Sequence, residues 1–184
     1  MKMKKWMAAA AASLLAAGLI CGCANPQKAG VKALEAGDYK EAEAQFKELA
    51  RSGGENAAEG WRGLGMAYYE TEDYEAALEA FQKAAESGIQ PGVQMYNLMA
   101  VCAMQTGQYG PALEYIRSGL AIADAAEEDE QPSEDLIREM KYNEIVCCEQ
   151  QADWEGAKQK AAEYLEAYPD DEAVQREAEF LATR

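Results

Sequence analysis

The sequence predicts an all-α protein made of helical hairpins stacked in series, and three observations carry that reading. Ala42, Ala77 and Ala112 recur at even spacing, each followed four residues later by a large apolar residue, Phe46, Phe81 or Ile116. Four residues is one helical turn, so each pair shares a helix face. A short polar or glycine-containing turn precedes each alanine: Gly37-Asp38-Tyr39, Glu72-Asp73-Tyr74 and Gly107-Gln108-Tyr109. Such a turn ends one helix and lets the following tyrosine pack back as the next begins. Amphipathic helices alone would not repeat this punctuation three times in register.

The most informative stretch is Trp61-x-x-Leu64-Gly65-x-x-Tyr68, followed by Ala77-x-x-x-Phe81. These residue types at these offsets resemble the tetratricopeptide repeat (TPR), a unit of about 34 residues in two antiparallel helices. The resemblance implies a right-handed solenoid that binds proteins rather than performing catalysis. Small residues (Gly65, Ala77) sit where helices cross, and large ones (Trp61, Leu64, Tyr68, Phe81) fill the gaps beside them.

Taken in order, repeats are expected over about 26–53, 58–88, 93–123 and 134–169, with a capping helix over 170–184. The first helix A, from about Pro26 to Ala36, lacks the tryptophan and offers Ala29 and Gly30. A polar, small-residue outer face suits a terminal repeat with no neighbour to cover it. In the fourth unit, Tyr142-Asn143-Glu144-Ile145 parallels Tyr96-Asn97-Leu98-Met99, and Asp153-Trp154-Glu155-Gly156-Ala157 parallels Gln108-Tyr109-Gly110-Pro111-Ala112. This alignment makes the fourth turn one residue short, and it puts Ala161 where an aromatic is usual. Tyr168-Pro169-Asp170 matches the family's terminating proline. The final helix carries Val174, Ala178, Phe180 and Leu181 near one stripe.

Residues 124–135, rich in Asp and Glu, add about ten residues between the third and fourth units. Pro132 breaks the preceding helix, and Ser133 with Glu134 and Asp135 makes a good helix N-terminus. The insert reads as a solvated loop or as a docking strip for a basic partner.

The N-terminus gives the expected compartment. Met1-Lys-Met-Lys-Lys5 is cationic, and the apolar run from Trp6 to Ile20 is short for a membrane span of about 20 residues but suits a signal-peptide core. It ends in Ile20-Cys21-Gly22-Cys23, which resembles the bacterial lipobox, although Cys21 stands where a small or aliphatic residue is more usual. The resemblance implies removal of residues 1–22, acylation of Cys23, and a protein lipid-anchored at the bacterial cell membrane and facing outside the cytoplasm. An ordinary secretory signal is the alternative.

Removing residues 1–22 deletes Lys2, Lys4 and Lys5 and no acid, which moves the net charge from −16 to about −19. So acidic a surface repels phosphate backbones and anionic lipid, which argues against nucleic-acid binding. The chain has no histidine, hence no usual general base and none of the commonest metal ligand. Gly60-Trp-Arg-Gly63-Leu-Gly65 lies inside a helix and is no phosphate loop. No catalytic residue, metal, cofactor or small-molecule substrate is expected, although a hydrolase using paired carboxylates is conceivable. Cys102, Cys147 and Cys148 read as small buried hydrophobes or as a redox pair, with Cys102 and Cys148 at equivalent positions.

The family resemblance places the second, fifth, ninth, twelfth and thirteenth positions of each repeat on a concave groove, Trp61 being the fourth. Carried onto this chain, these give Glu59, Arg62, Met66, Tyr69 and Glu70; then Gln94, Asn97, Val101, Met104 and Gln105; then Met140, Asn143, Cys147, Gln150 and Gln151. Arg62, Met66, Tyr69, Asn97, Val101, Met104 and Asn143 are the candidate ligand contacts, with Tyr69 and Asn97 foremost. Arg62 is the one cation among these positions, so the carboxylate clamp of some family members is missing. A neutral or basic protein or peptide segment fits better. The expected function is a non-enzymatic adaptor or scaffold at the cell envelope; the rival is a permanent subunit of an envelope assembly using convex or terminal surfaces.

Overall fold

The structure is a computed structural model that describes residues 25–127 and 129–184. Within them lie nine α-helices and no strand: α1 Pro26–Glu35, α2 Tyr39–Arg51, α3 Gly54–Glu70, α4 Tyr74–Glu86, α5 Val93–Gln105, α6 Tyr109–Ala125, α7 Glu134–Gln150, α8 Trp154–Ala167 and α9 Glu172–Leu181. Each packs on the next, giving four hairpins in series and a closing helix. Cys23 and the leader expected over residues 1–22 lie outside the described residues.

Local chemistry sets the helix ends. The side chains of Asp38, Asp73 and Asp153 accept from the backbone amides of Glu41, Ala76 and Gly156, capping α2, α4 and α8. Every turn within a hairpin has three residues, the middle one in the left-handed region: Gly37 (φ 72°), Glu72 (60°), Gly107 (74°) and Ala152 (57°). The next amide then reaches back to a carbonyl of the outgoing helix, as from Asp153 to Cys148 at 2.9 Å.

This common turn corrects the expected register of α7. Its turn is not one residue short, so Tyr142 is not the counterpart of Tyr96. Counting back from the turn, Lys141 takes the Tyr96 position, Glu144 that of Leu64 and Met99, and Ile145 that of Gly65 and Ala100. Burial follows the same register: Met95, Met99, Ala100, Cys102 and Ala103 are buried on α5, as are Met140, Glu144, Ile145, Cys147 and Cys148 on α7. Cys147 rather than Cys148 therefore matches Cys102. All three thiols are free; burial pushes those of Cys102 and Cys147 up to about 12, which makes them inert at neutral pH. Two boundaries also differ: α3 begins at Gly54 rather than near residue 58, and α6 runs through Ala125, into the stretch read as insert.

The hairpins close through matched volumes. A Cβ on Gly30 would stand 2.8 Å from the Phe46 ring, and one on Gly65 would stand 2.5 Å from Phe81. The third hairpin uses Ala100 with Ile116. The fourth reverses the order, Ile145 with Ala161, so the aromatic missing from α8 is offset by bulk on α7. Ala42, Ala77, Ala112 and Ala157 are all fully buried beside these pairs.

The last two seams are tied by charge. Glu144, 5 % exposed, lies 3.3 Å from Lys160 of α8 and 3.8 Å from Arg117 of α6. Arg138 of α7 donates to the Tyr164 hydroxyl (2.9 Å) and to Asp171 (2.6 Å), while Tyr164 also donates to Asp171 (2.8 Å). Asp171 in turn caps α9, whose Val174 and Leu181 are buried against α8.

The matched volumes give a test by urea denaturation. Ile145→Ala should cost about 3 kcal/mol. Adding Ala161→Ile, which copies the third hairpin, should recover at least half of that loss. No recovery would show that the pair does not pack as one unit.

Candidate functional site

Helices α1, α3, α5 and α7 occupy the same place in successive hairpins, with α1 against α3 and α5 against α7. Their outward residues form the candidate groove. Two depressions share Arg62 and Met66 as a common wall. The larger, about 470 Å³, is completed by Gln94, Leu98 and the loop residues Ile89 and Gln90. The smaller, about 180 Å³, is completed by Gln27, Val31 and Leu34. A third of about 340 Å³ lies between α7 and α9, bordered by Asp135, Glu139, Tyr142 and Val174.

The candidate residues are distributed unevenly. Arg62 is exposed but held by Glu59, its Nη2 and Nε donating at 2.6 and 3.0 Å. Tyr69, Val101 and Met104 are half-buried. Tyr69 meets Tyr74 edge to face with centroids 5.8 Å apart; its phenol is raised by burial first and then by Cys102, Tyr74, Glu139 and Glu70. Asn97 is 7 % exposed, its Nδ2 donating to Glu139 Oε1 at 3.1 Å across the seam between α5 and α7. Asn97 thus engages the Glu139 carboxylate, whose charge also reaches the Tyr69 phenol.

Asn143 is half-buried, and in the observed register it takes the position of Gly63 and Leu98, which border the two depressions on the preceding hairpins. Met140 and Cys147 are fully buried and line no groove. The register instead brings Glu139, Tyr142, Val146 and Glu149 to the lining face, and sequence reasoning missed all four. Anchoring the alignment on Asp153-Trp154 rather than on the Tyr142-Asn143 dipeptide would have found them.

The site is rich in acceptors. Asn97 Oδ1 and Glu149 Oε1 are buried without a hydrogen-bond partner. Burial, then the facing Glu177 of α9, pushes the Glu149 carboxyl up to about 7. The cations bordering the depressions, Arg62 and Arg138, are already bound to Glu59 and Asp171. Among the described residues there is no group of three side chains able to hold a metal ion, and no helix long and apolar enough to cross a membrane. Carboxylates, amides, phenols and thioethers in this order can hold a polypeptide by hydrogen bonds, charge and adaptable apolar contact.

A family model for the tetratricopeptide repeat matches residues 28–92 and 73–128, together more than half of the chain. Three solved structures share the fold. YrrB, described as a TPR protein with an unusual peptide-binding site, is 18 % identical with a TM-score of 0.67, over 84 % of this chain and 73 % of that one. The MamA RS-1 ArsTM double mutant is 18 % identical with a TM-score of 0.68, over 86 % and 82 %. The N-terminal domain of stress-induced protein-1 from C. elegans is 20 % identical with a TM-score of 0.56, over 70 % and 96 %. No curated protein matches the sequence.

The two ends of the titration range act oppositely on α9. A folded Glu149 raised above its ordinary 4.5 binds its proton more tightly than the unfolded chain does. Its contribution is therefore complete below pH 4.5 and is lost as pH rises through about 7. Asp171 is held well below its ordinary 3.8 by Arg138 first and then Tyr164, so its contribution is present above that value and is lost in acid. The cap should be firmest between about pH 4 and pH 6. Amide hydrogen exchange, corrected for intrinsic rates, should show α9 protection falling from pH 6 to pH 8. Glu149→Gln should remove that fall; an unchanged fall would place its origin elsewhere.

Proposed function

The chain belongs to the tetratricopeptide repeat family, and from that premise we propose that it is a non-enzymatic adaptor that holds an extended, neutral or basic polypeptide segment along α1, α3, α5 and α7. Proteins of this fold generally act as protein–protein interaction modules. The observation that carries the reading is the imbalance of the groove: its cations are spent on internal partners, while exposed carboxylates of its lining, such as Glu139, are in no ion pair among the described residues. A basic side chain of an entering segment supplies the missing countercharge.

The adaptor is proposed to work at the bacterial envelope, tethered outside the cytoplasm through acyl chains on Cys23 after removal of residues 1–22. Ile20-Cys21-Gly22-Cys23 after a cationic start and an apolar run supports this. Two or more acyl chains give stable attachment where one gives marginal binding, and a surface this acidic would not itself adhere to anionic lipid.

A second reading, a permanent subunit docked through a terminal surface, has one observation in its favour. Trp154 and Phe180 are exposed at the C-terminal end, and the Arg184 guanidinium lies 5.4 and 4.6 Å from their ring centroids. Aromatic residues with an arginine make a common interface anchor.

Two measurements test these readings. Mass spectrometry of membrane-extracted protein should find residues 1–22 absent and acyl mass on Cys23; an unlipidated mature N-terminus ends the anchoring proposal. In-cell crosslinking with partner identification should lose its main partner roughly tenfold in Tyr69→Ala and keep it in Phe180→Ala. The reverse pattern selects the subunit reading.

A further inference from the structure

The depression between α7 and α9 has a chemistry of its own. Asp135, Glu139 and Tyr142 lie four and then three residues apart on α7, hence on one helix face. All three are exposed, with Tyr142 at 42 %. Neither acid is in an ion pair among the described residues. The one cation bordering the depression, Arg138, is committed to Asp171 and Tyr164. Asn97 approaches from α5, donates to Glu139, and keeps its own Oδ1 buried and unpaired. Apolar surface from Ala173 and Val174 completes the space of about 340 Å³.

We propose that this depression is a specificity subsite for a lysine or arginine side chain of the bound segment, with Glu139 as the charge partner. The assignment rests on the groove reading above and adds which residue type is read there, and where. A long basic side chain needs an apolar wall for its stem and a carboxylate for its head. Tyr142 and Ala173 supply the wall, and Tyr142 also offers a ring face to the cation. Glu139, steered by the Asn97 amide, and Asp135 supply the charge. An acidic or phosphorylated side chain would meet two unneutralised carboxylates and be rejected.

The test uses the purified full-length protein in detergent and a displayed library of random decapeptides. Panning on wild-type protein should enrich peptides with a lysine or arginine at one fixed position. Their affinity, read by fluorescence anisotropy, should fall about tenfold in Glu139→Gln and stay unchanged in Glu86→Gln, a surface charge on α4 away from the depression. Glu139→Lys should shift the enriched residue to aspartate or glutamate, a change that misfolding cannot produce. Three results overturn the subsite. Peptides that need Tyr69 but show no basic position leave groove binding intact and remove the subsite alone. Equal losses in Glu139→Gln and Glu86→Gln reduce the preference to bulk charge. Peptides that bind independently of both Tyr69 and Glu139, or no enrichment at all, remove the subsite and groove binding together.

Discussion

The solenoid depends on a steric bargain repeated at each hairpin: a small residue on the first helix faces a large one sixteen positions later on the second, or the reverse. Gly30 with Phe46 and Gly65 with Phe81 show it at closest approach, where no Cβ would fit. Ala100 with Ile116 relaxes it, and Ile145 with Ala161 inverts it. Interiors tolerate such exchanges when the summed volume is kept. Close hairpins then present flat, apolar flanks to their neighbours, so stability accumulates between units rather than inside any one of them. The lining of the groove follows from the same stacking. Helices held in one register must place their fifth, ninth and twelfth positions side by side.

The sequence carried most of this because the bargain is written in residue types. Ala42, Ala77 and Ala112 marked the second helices, a polar residue followed by tyrosine marked their starts, and Trp61 through Phe81 was enough to name the family. The fourth hairpin was harder, for a physical reason. With Ile145 and Ala161 exchanged, and Glu144 buried where Leu64 and Met99 stand, the usual apolar marks on α7 were scrambled. The chance dipeptide Tyr142-Asn143 then captured the alignment. Asn97 illustrates another limit. It was expected as an open ligand contact, but it is buried and its Nδ2 donates to Glu139, forty-two residues away, a partnership that no local pattern encodes.

Charge is distributed with the same economy. A chain with a formal charge of −16 has few cations to spare, and several sit at seams. Lys160 and Arg117 face the buried Glu144, while Arg138 joins α7 to the start of α9. Ion pairs whose acid is largely buried while the base stays partly in solvent are better at fixing a single arrangement than at adding stability. Here they fix the seam that the acidic insert interrupts and the seam between the fourth hairpin and α9.

The contact between Arg138 and Asp171 has a second consequence. It ties α7 to the start of α9, and it also neutralises a guanidinium that borders the depression holding Glu139 and Tyr142. Without Asp171, that end of the cleft would display a bare positive charge and turn away the guests its carboxylates attract. The final helix is therefore a shield as much as a lid: its capping side chain decides the polarity of the doorway.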